Sequence, residues 1–172
     1  MKNIIWAIAA IAFSFASTTE AAPIFSNNAV VGAATNTATF NPINANGIDL
    51  STYQEDGISV SVIGDSYITF DYSFSASGSP TTGFYYDANN SWVDISLVSG
   101  GTITALDFLL GDGWTDTTTH LKWETYVGTT STGTGGGTFT KGSTVGWTDV
   151  AGFTSIRVGA YNSSSHTWGD YQ

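Results

Sequence analysis

The sequence predicts an all-β fold, an antiparallel two-sheet β-sandwich of jelly-roll type, on three observations. Apolar and polar residues alternate at period two in run after run, as a half-buried strand requires. Thr, Ser, Gly and aromatic residues dominate, with 6 Trp, 8 Tyr and 10 Phe in 172 residues, and helix-type runs of Lys, Glu, Leu and Ala are missing. Turn signals built on Gly, Asn and Asp separate the runs, often by about ten residues, the spacing of hairpins in a sandwich.

The first element stands outside that fold. Residues 1–3 are weakly basic, 4–16 (IIWAIAAIAFSFA) are apolar almost without a break, and 17–22 are small and polar. A run of that length suits a secretory signal better than a membrane span. The expected signal is 1–21, cleaved after Ala21 with Thr19 at −3, and cleavage after Ala16 is the second choice. Ala22-Pro23 becomes the new N-terminus, and 22–172 is expected to form a single sandwich domain. The protein is then exported, extracellular or in the cell envelope, with no membrane span once the signal is removed.

Strands follow in order. Ile58, Val60 and Val62 alternate with Ser59 and Ser61. Ile68, Phe70, Tyr72 and Phe74 share one face against Thr69, Asp71 and Ser73. Val93, Ile95 and Leu97 alternate with Asp94 and Ser96, Leu121, Trp123 and Thr125 with Lys122 and Glu124, and Ile156, Val158 and Ala160 with Arg157. Residues 103–110 fit a strand through Leu106, Phe108 and Leu110, or a short helix through Ala105, Leu106, Leu109 and Leu110; the flanking Gly pairs favour the strand. Turns are expected at 45–47, 55–57, 64–65, 99–101, 111–113 and 141–142. Residues 128–137 (GTTSTGTGGG) read as a flexible connector or long hairpin loop. GWTD occurs twice, ending at Asp116 and Asp149, and is read as one turn chemistry used twice.

Composition excludes several functions. Fourteen acids against four cations give a net charge of −10, which repels nucleic acid. There is no Cys, so disulfides, thiolate catalysis and zinc–thiolate sites are excluded. After signal removal the cations are Lys122, Lys141 and Arg157. Two histidines, His120 and His166, cannot by themselves fill a zinc site, and neither lies near a nucleophile elbow. A glycosidase needs two facing carboxyls, and no compact acid motif singles out a pair; the Glu124 carboxylate is expected to pair with Lys122.

Two constellations are left. Loop acids can ligate calcium, and Glu55, Asp56 and Asp170 are the candidates for one structural Ca²⁺, the single cofactor suggested; Asp65, Asp112, Asp116 and Asp149 are further loop acids. Aromatics near loops can stack on sugar rings, and Trp114, Trp147, Trp168, Tyr85 and Tyr86 are the candidates for carbohydrate binding. The same loop aromatics could instead cap the open end of the core. Trp92 and Trp123 read as core.

FNPINANGIDLSTYQEDGISVSV (40–62), GTITALDFLLGDGW (101–114) and TKGSTVGWTDVAGFTSIRVGAY (140–161) resemble exported Gram-negative proteins carrying a C-terminal PEP-CTERM sorting signal. The resemblance implies export, sorting by an exosortase and association with exopolysaccharide or biofilm. The signal itself, a Pro-Glu-Pro motif, an apolar helix and terminal arginines, is not found before Gln172. Tyr171-Gln172 reads as the opening of another strand, so the chain is expected to be truncated, lacking its last strand. The reading is a non-catalytic exported matrix or surface protein with weak polysaccharide binding. A glycoside-active enzyme and a purely structural surface protein are the alternatives.

Overall fold

The computed structural model describes residues 22–39, 49–63, 68–71, 83–86, 92–109, 118–140 and 143–161, with backbone alone at 49, 68–71, 83–86, 118–120 and 160–161. Among these residues the chain is all β. The strands are β1 (Ile24–Ser26), β2 (Asp49–Leu50), β3 (Thr52–Glu55), β4 (Ile58–Ile63), β5 (Ile68–Asp71), β6 (Gly83–Tyr86), β7 (Trp92–Leu97), β8 (Ile103–Leu109), β9 (Thr118–Val127), β10 (Thr130–Thr140), β11 (Thr144–Phe153) and β12 (Ser155–Tyr161).

Two antiparallel sheets make a sandwich rather than a closed barrel. The larger runs β10-β9-β12-β7-β4-β3 and the smaller β1-β11-β8; β2-β5-β6 form a further three-stranded sheet. The alternation read in the sequence decides which side chains lie between the layers. Val60, Val93, Ile95, Leu121, Trp123, Ile156 and Val158 from the larger sheet are buried with Val145, Trp147 and Phe153 of β11. Leu50 of β2 is packed against the same core. Thr125, fully buried at the end of the β9 run, satisfies its hydroxyl on Thr132 Oγ1 at 3.0 Å and the Gly133 carbonyl at 3.3 Å. The stretch 103–109 is strand β8, in agreement with the preferred reading.

At the centre, Trp147 stacks on Phe108 with centroids 5.3 Å apart and meets Trp123 edge-on at 6.4 Å. Phe25 of β1 lies against both indoles, at 5.3 Å from Trp147 and 6.4 Å from Trp123. Offset and edge-on contacts are the arrangements that ring quadrupoles favour. Phe25, Phe108, Trp123 and Trp147 thus join the layers.

Residues 128–137 do not form a loop. Gly128 and Thr129 make a two-residue turn, and 130–140 is strand β10, paired antiparallel along β9 with a bulge between Ser131 and Gly133. The glycines answer a packing demand. A Cβ at Gly135 would sit 2.5 Å from the Trp123 ring, one at Gly137 2.9 Å from Phe25, and one at Gly133 2.7 Å from Pro23. Bulky side chains from elsewhere in the chain occupy the face of β10 that its own side chains would otherwise fill. A composition that looks flexible is here a flat surface for other residues.

The segment Asn27–Thr39 has no regular structure and is held by carboxylates. Asp107 Oδ2 accepts the amides of Val30 and Val31, both at 2.8 Å. Asp56 Oδ2 accepts the Thr37 amide at 2.8 Å, and Glu55 accepts the Thr39 amide and hydroxyl, each at 2.7 Å. Asp56-Gly57 form the β3–β4 turn, both at positive φ, as a type I′ hairpin requires.

Candidate functional site

The outer face of the six-stranded sheet brings together both cations with described side chains, Lys122 and Arg157, and two acids, Asp94 and Glu124. Antiparallel register sets its residues in rows across the strands. One row runs Glu124 (β9), Arg157 (β12), Asp94 (β7), Ser61 (β4) and Thr52 (β3). The next runs Tyr126, Ser155, Ser96, Ser59 and Gln54. On the other side Lys122 is opposite Gly159, and Trp92 lies beyond it on β7, opposite Ile63.

Each cation of this face sits on an aromatic ring. Lys122 Nζ lies 4.0 Å from the Trp92 centroid, and the Arg157 guanidinium carbon 4.3 Å from that of Tyr126. Gly159 makes the first pair possible, since a Cβ there would press on Lys122 Cε at 3.3 Å and on the Trp92 ring at 3.5 Å. Arg157 also donates to Asp94 Oδ2 at 3.3 Å and to the Tyr126 hydroxyl at 3.1 Å. With Arg157 donating to it, the Tyr126 hydroxyl donates its own hydrogen bond to Glu124. Hydrogen bonds from Tyr126 and Ser131, then the charges of Arg157 and Lys122, hold the Glu124 carboxyl below its ordinary value. The bond to Glu124 pushes the Tyr126 phenol up, and burial pulls the Lys122 ammonium down.

The predicted Lys122–Glu124 partnership is therefore a minor part of a larger network: hydroxyls contribute more to Glu124 than Lys122 does. Two of the four cations in the sequence meet two acids here, so a neutral, hydrogen-bond-rich face is set into a chain of net charge −10.

Several expected site residues are corrected. Trp147 is not a stacking platform: it lies inside β11 and is fully buried between the sheets. The Gly146–Asp149 copy of GWTD is strand, not turn, and Gly146 is required because Val30 would lie 2.6 Å from a Cβ there. Asp149 is no loop acid but a buried residue of β11, its Oδ1 accepting the Ala151 amide at 2.9 Å. Trp92 is not core; it shares the outward parity of Asp94 and is half-buried beneath Lys122.

Tyr85 and Tyr86 belong to strand β6, where they pair with Thr69 and Ile68. Trp114, Trp168, Asp170, His166, Asp65, Asp112 and Asp116 lie outside the described residues. Glu55 and Asp56 do come together, at the β3–β4 turn, but their oxygens accept donors from the 27–39 segment and from Tyr53. That contact and burial push the Tyr53 phenol up to about 12, with burial the larger cause. Among the described residues no group of three potential metal ligands occurs. No helix among them is long and apolar enough to cross a membrane.

Trp92 and Tyr126 are the residues that sequence reasoning missed. Parity alone finds them: Trp92 is two positions from Asp94, and Tyr126 two from Glu124. Compared with known proteins, the chain matches no family model, no curated protein and no solved structure.

Proposed function

We propose that this is a non-catalytic exported protein of the cell surface or exopolysaccharide matrix, and that the outer face of its six-stranded sheet binds polysaccharide weakly. The observation that carries the reading is the pairing of Trp92 and Tyr126 with fixed polar groups on one face of the sheet. Sugars present apolar C–H surface beside hydroxyls, and a platform for them needs ring surface next to oriented donors and acceptors. Lys122 and Arg157 supply donors, Asp94 and Glu124 acceptors, and Ser59, Ser61 and Ser96 continue the polar surface across β4 and β7. The balanced charge of the face suits neutral glycans, while the net charge of −10 disfavours acidic ones. The resemblance to PEP-CTERM proteins and the 1–21 signal support the matrix setting.

Glu124 favours binding over hydrolysis. A general acid in a glycosidase keeps its proton near neutral pH, which needs a raised pKa, whereas Glu124 is held down by its donors. Affinity electrophoresis through gels containing neutral or uronate-rich polysaccharide tests the proposal. Wild type should be retarded, and Trp92→Ala with Tyr126→Ala should migrate as in a blank gel. A wild-type chain retarded by no polysaccharide removes the binding reading and favours the purely structural one.

A further inference from the structure

The start of β1 meets a buried acid. Ile24 pairs with Thr148 and Phe25 with Trp147. Pro23 and Ala22 come one and two residues before Ile24, the first residue of β1 with a partner on β11. Pro23 is buried, and Ala22 and Asp149 line one shallow depression with Ile24, Thr104, Thr148 and Val150. Asp149 is the one residue of that lining able to ionise, and it is 7% exposed. Its Oδ1 takes the Ala151 amide, and one amide is little compensation for a buried carboxylate.

We infer that hydrolysis of the Ala21–Ala22 bond completes the fold by creating an α-ammonium at Ala22 that pairs with Asp149. The inference rests on the reading of 1–21 as a cleaved signal. Hydrolysis adds water across the bond, leaving a carboxylate on Ala21 and an ammonium on Ala22. In the uncleaved chain that nitrogen is a neutral amide and offers Asp149 no charge. Cleavage places a cation on a residue that lines the depression, where Asp149 is the one ionisable side chain. The pair clasps β1, whose sheet neighbour is β11, to that strand just where Pro23 and Phe25 enter the core.

The sign of the pH dependence follows. An α-amino group titrates near 8 in an unfolded chain, and a carboxylate partner raises that value in the folded state. While Asp149 is ionised, the stabilisation is therefore full below about 8 and is lost as pH rises through the folded value.

Thermal melts decide it, comparing a chain beginning with a free amine at Ala22 with the same chain acetylated there. At pH 6.5 acetylation should lower Tm by about 2 °C, the scale expected for one partly exposed ion pair. The difference should vanish at pH 10 and in an Asp149→Asn background, whose amide oxygen still accepts the Ala151 N–H. Equal Tm values at pH 6.5, or a difference that persists at pH 10, overturn the clasp even if the Asn variant fails to fold. Mass spectrometry of the exported protein tests the signal reading separately: a mature chain starting elsewhere than Ala22 overturns the link to processing, and the melts still judge the pairing.

Discussion

β9 and β10 are hydrogen-bonded neighbours of ten and eleven residues with opposite compositions. β9 alternates bulk inward and charge outward: Leu121, Trp123 and Thr125 against Lys122, Glu124 and Tyr126. β10 presents Gly133, Gly135 and Gly137 on the inward side, across from those same three large residues. One strand fills the interior; the other, apart from Phe139 near its end, leaves room for what its neighbours and β1 insert. A strand can thus be specified by the side chains of others, and its own hydrophobic pattern then says little.

The comparison breaks most severely at the filling strand. Trp123→Ala should cost about 3–5 kcal/mol in urea unfolding, because the cavity opens where two sheets and β1 meet. Filling the room instead should cost less. Gly135→Ala drives a methyl into the Trp123 ring and is expected to lose about 1–3 kcal/mol. Trp123→Leu combined with Gly135→Ala should then lose less than the sum of the two single changes, a coupling read by a double-mutant cycle.

A gentler probe acts on the chain leading away from β1. Asp107→Ala strips the acceptor from two amides and should cost about 1–2 kcal/mol, with hydrogen exchange accelerating at Val30 and Val31. The smallest effect belongs to the outer face. The depressed Glu124 value contributes stability above its ordinary 4.5 that is lost as pH falls through the folded value. A carboxyl-carbon NMR titration should show that midpoint moving up in Tyr126→Phe, which removes the largest donor.

Much of the fold was legible because period two is a direct record of which residues face inward. Val93, Ile95, Leu121, Trp123, Ile156 and Val158 were all identifiable that way and are all buried. β10 was not legible, since its glycines are explained by Pro23, Phe25 and Trp123, and a single-strand pattern holds no trace of distant partners. Trp147 was misread because a preceding Gly suggested a turn, when that Gly yields space to Val30. The outer face was recoverable from parity at Trp92, but residue type argued for burial and prevailed. Its Lys122–Trp92 pair was beyond reach, because it depends on Gly159 leaving room between residues far apart in sequence.

The order of strands also governs when the molecule can become itself. β12 lies between β9 and β7, and β1 has nothing to pair with until β11 exists. A chain emerging from its N-terminus therefore holds two unfinished half-sheets until about residue 161 is available. Completion is a late, long-range event, in the regime where high contact order slows acquisition of the native state.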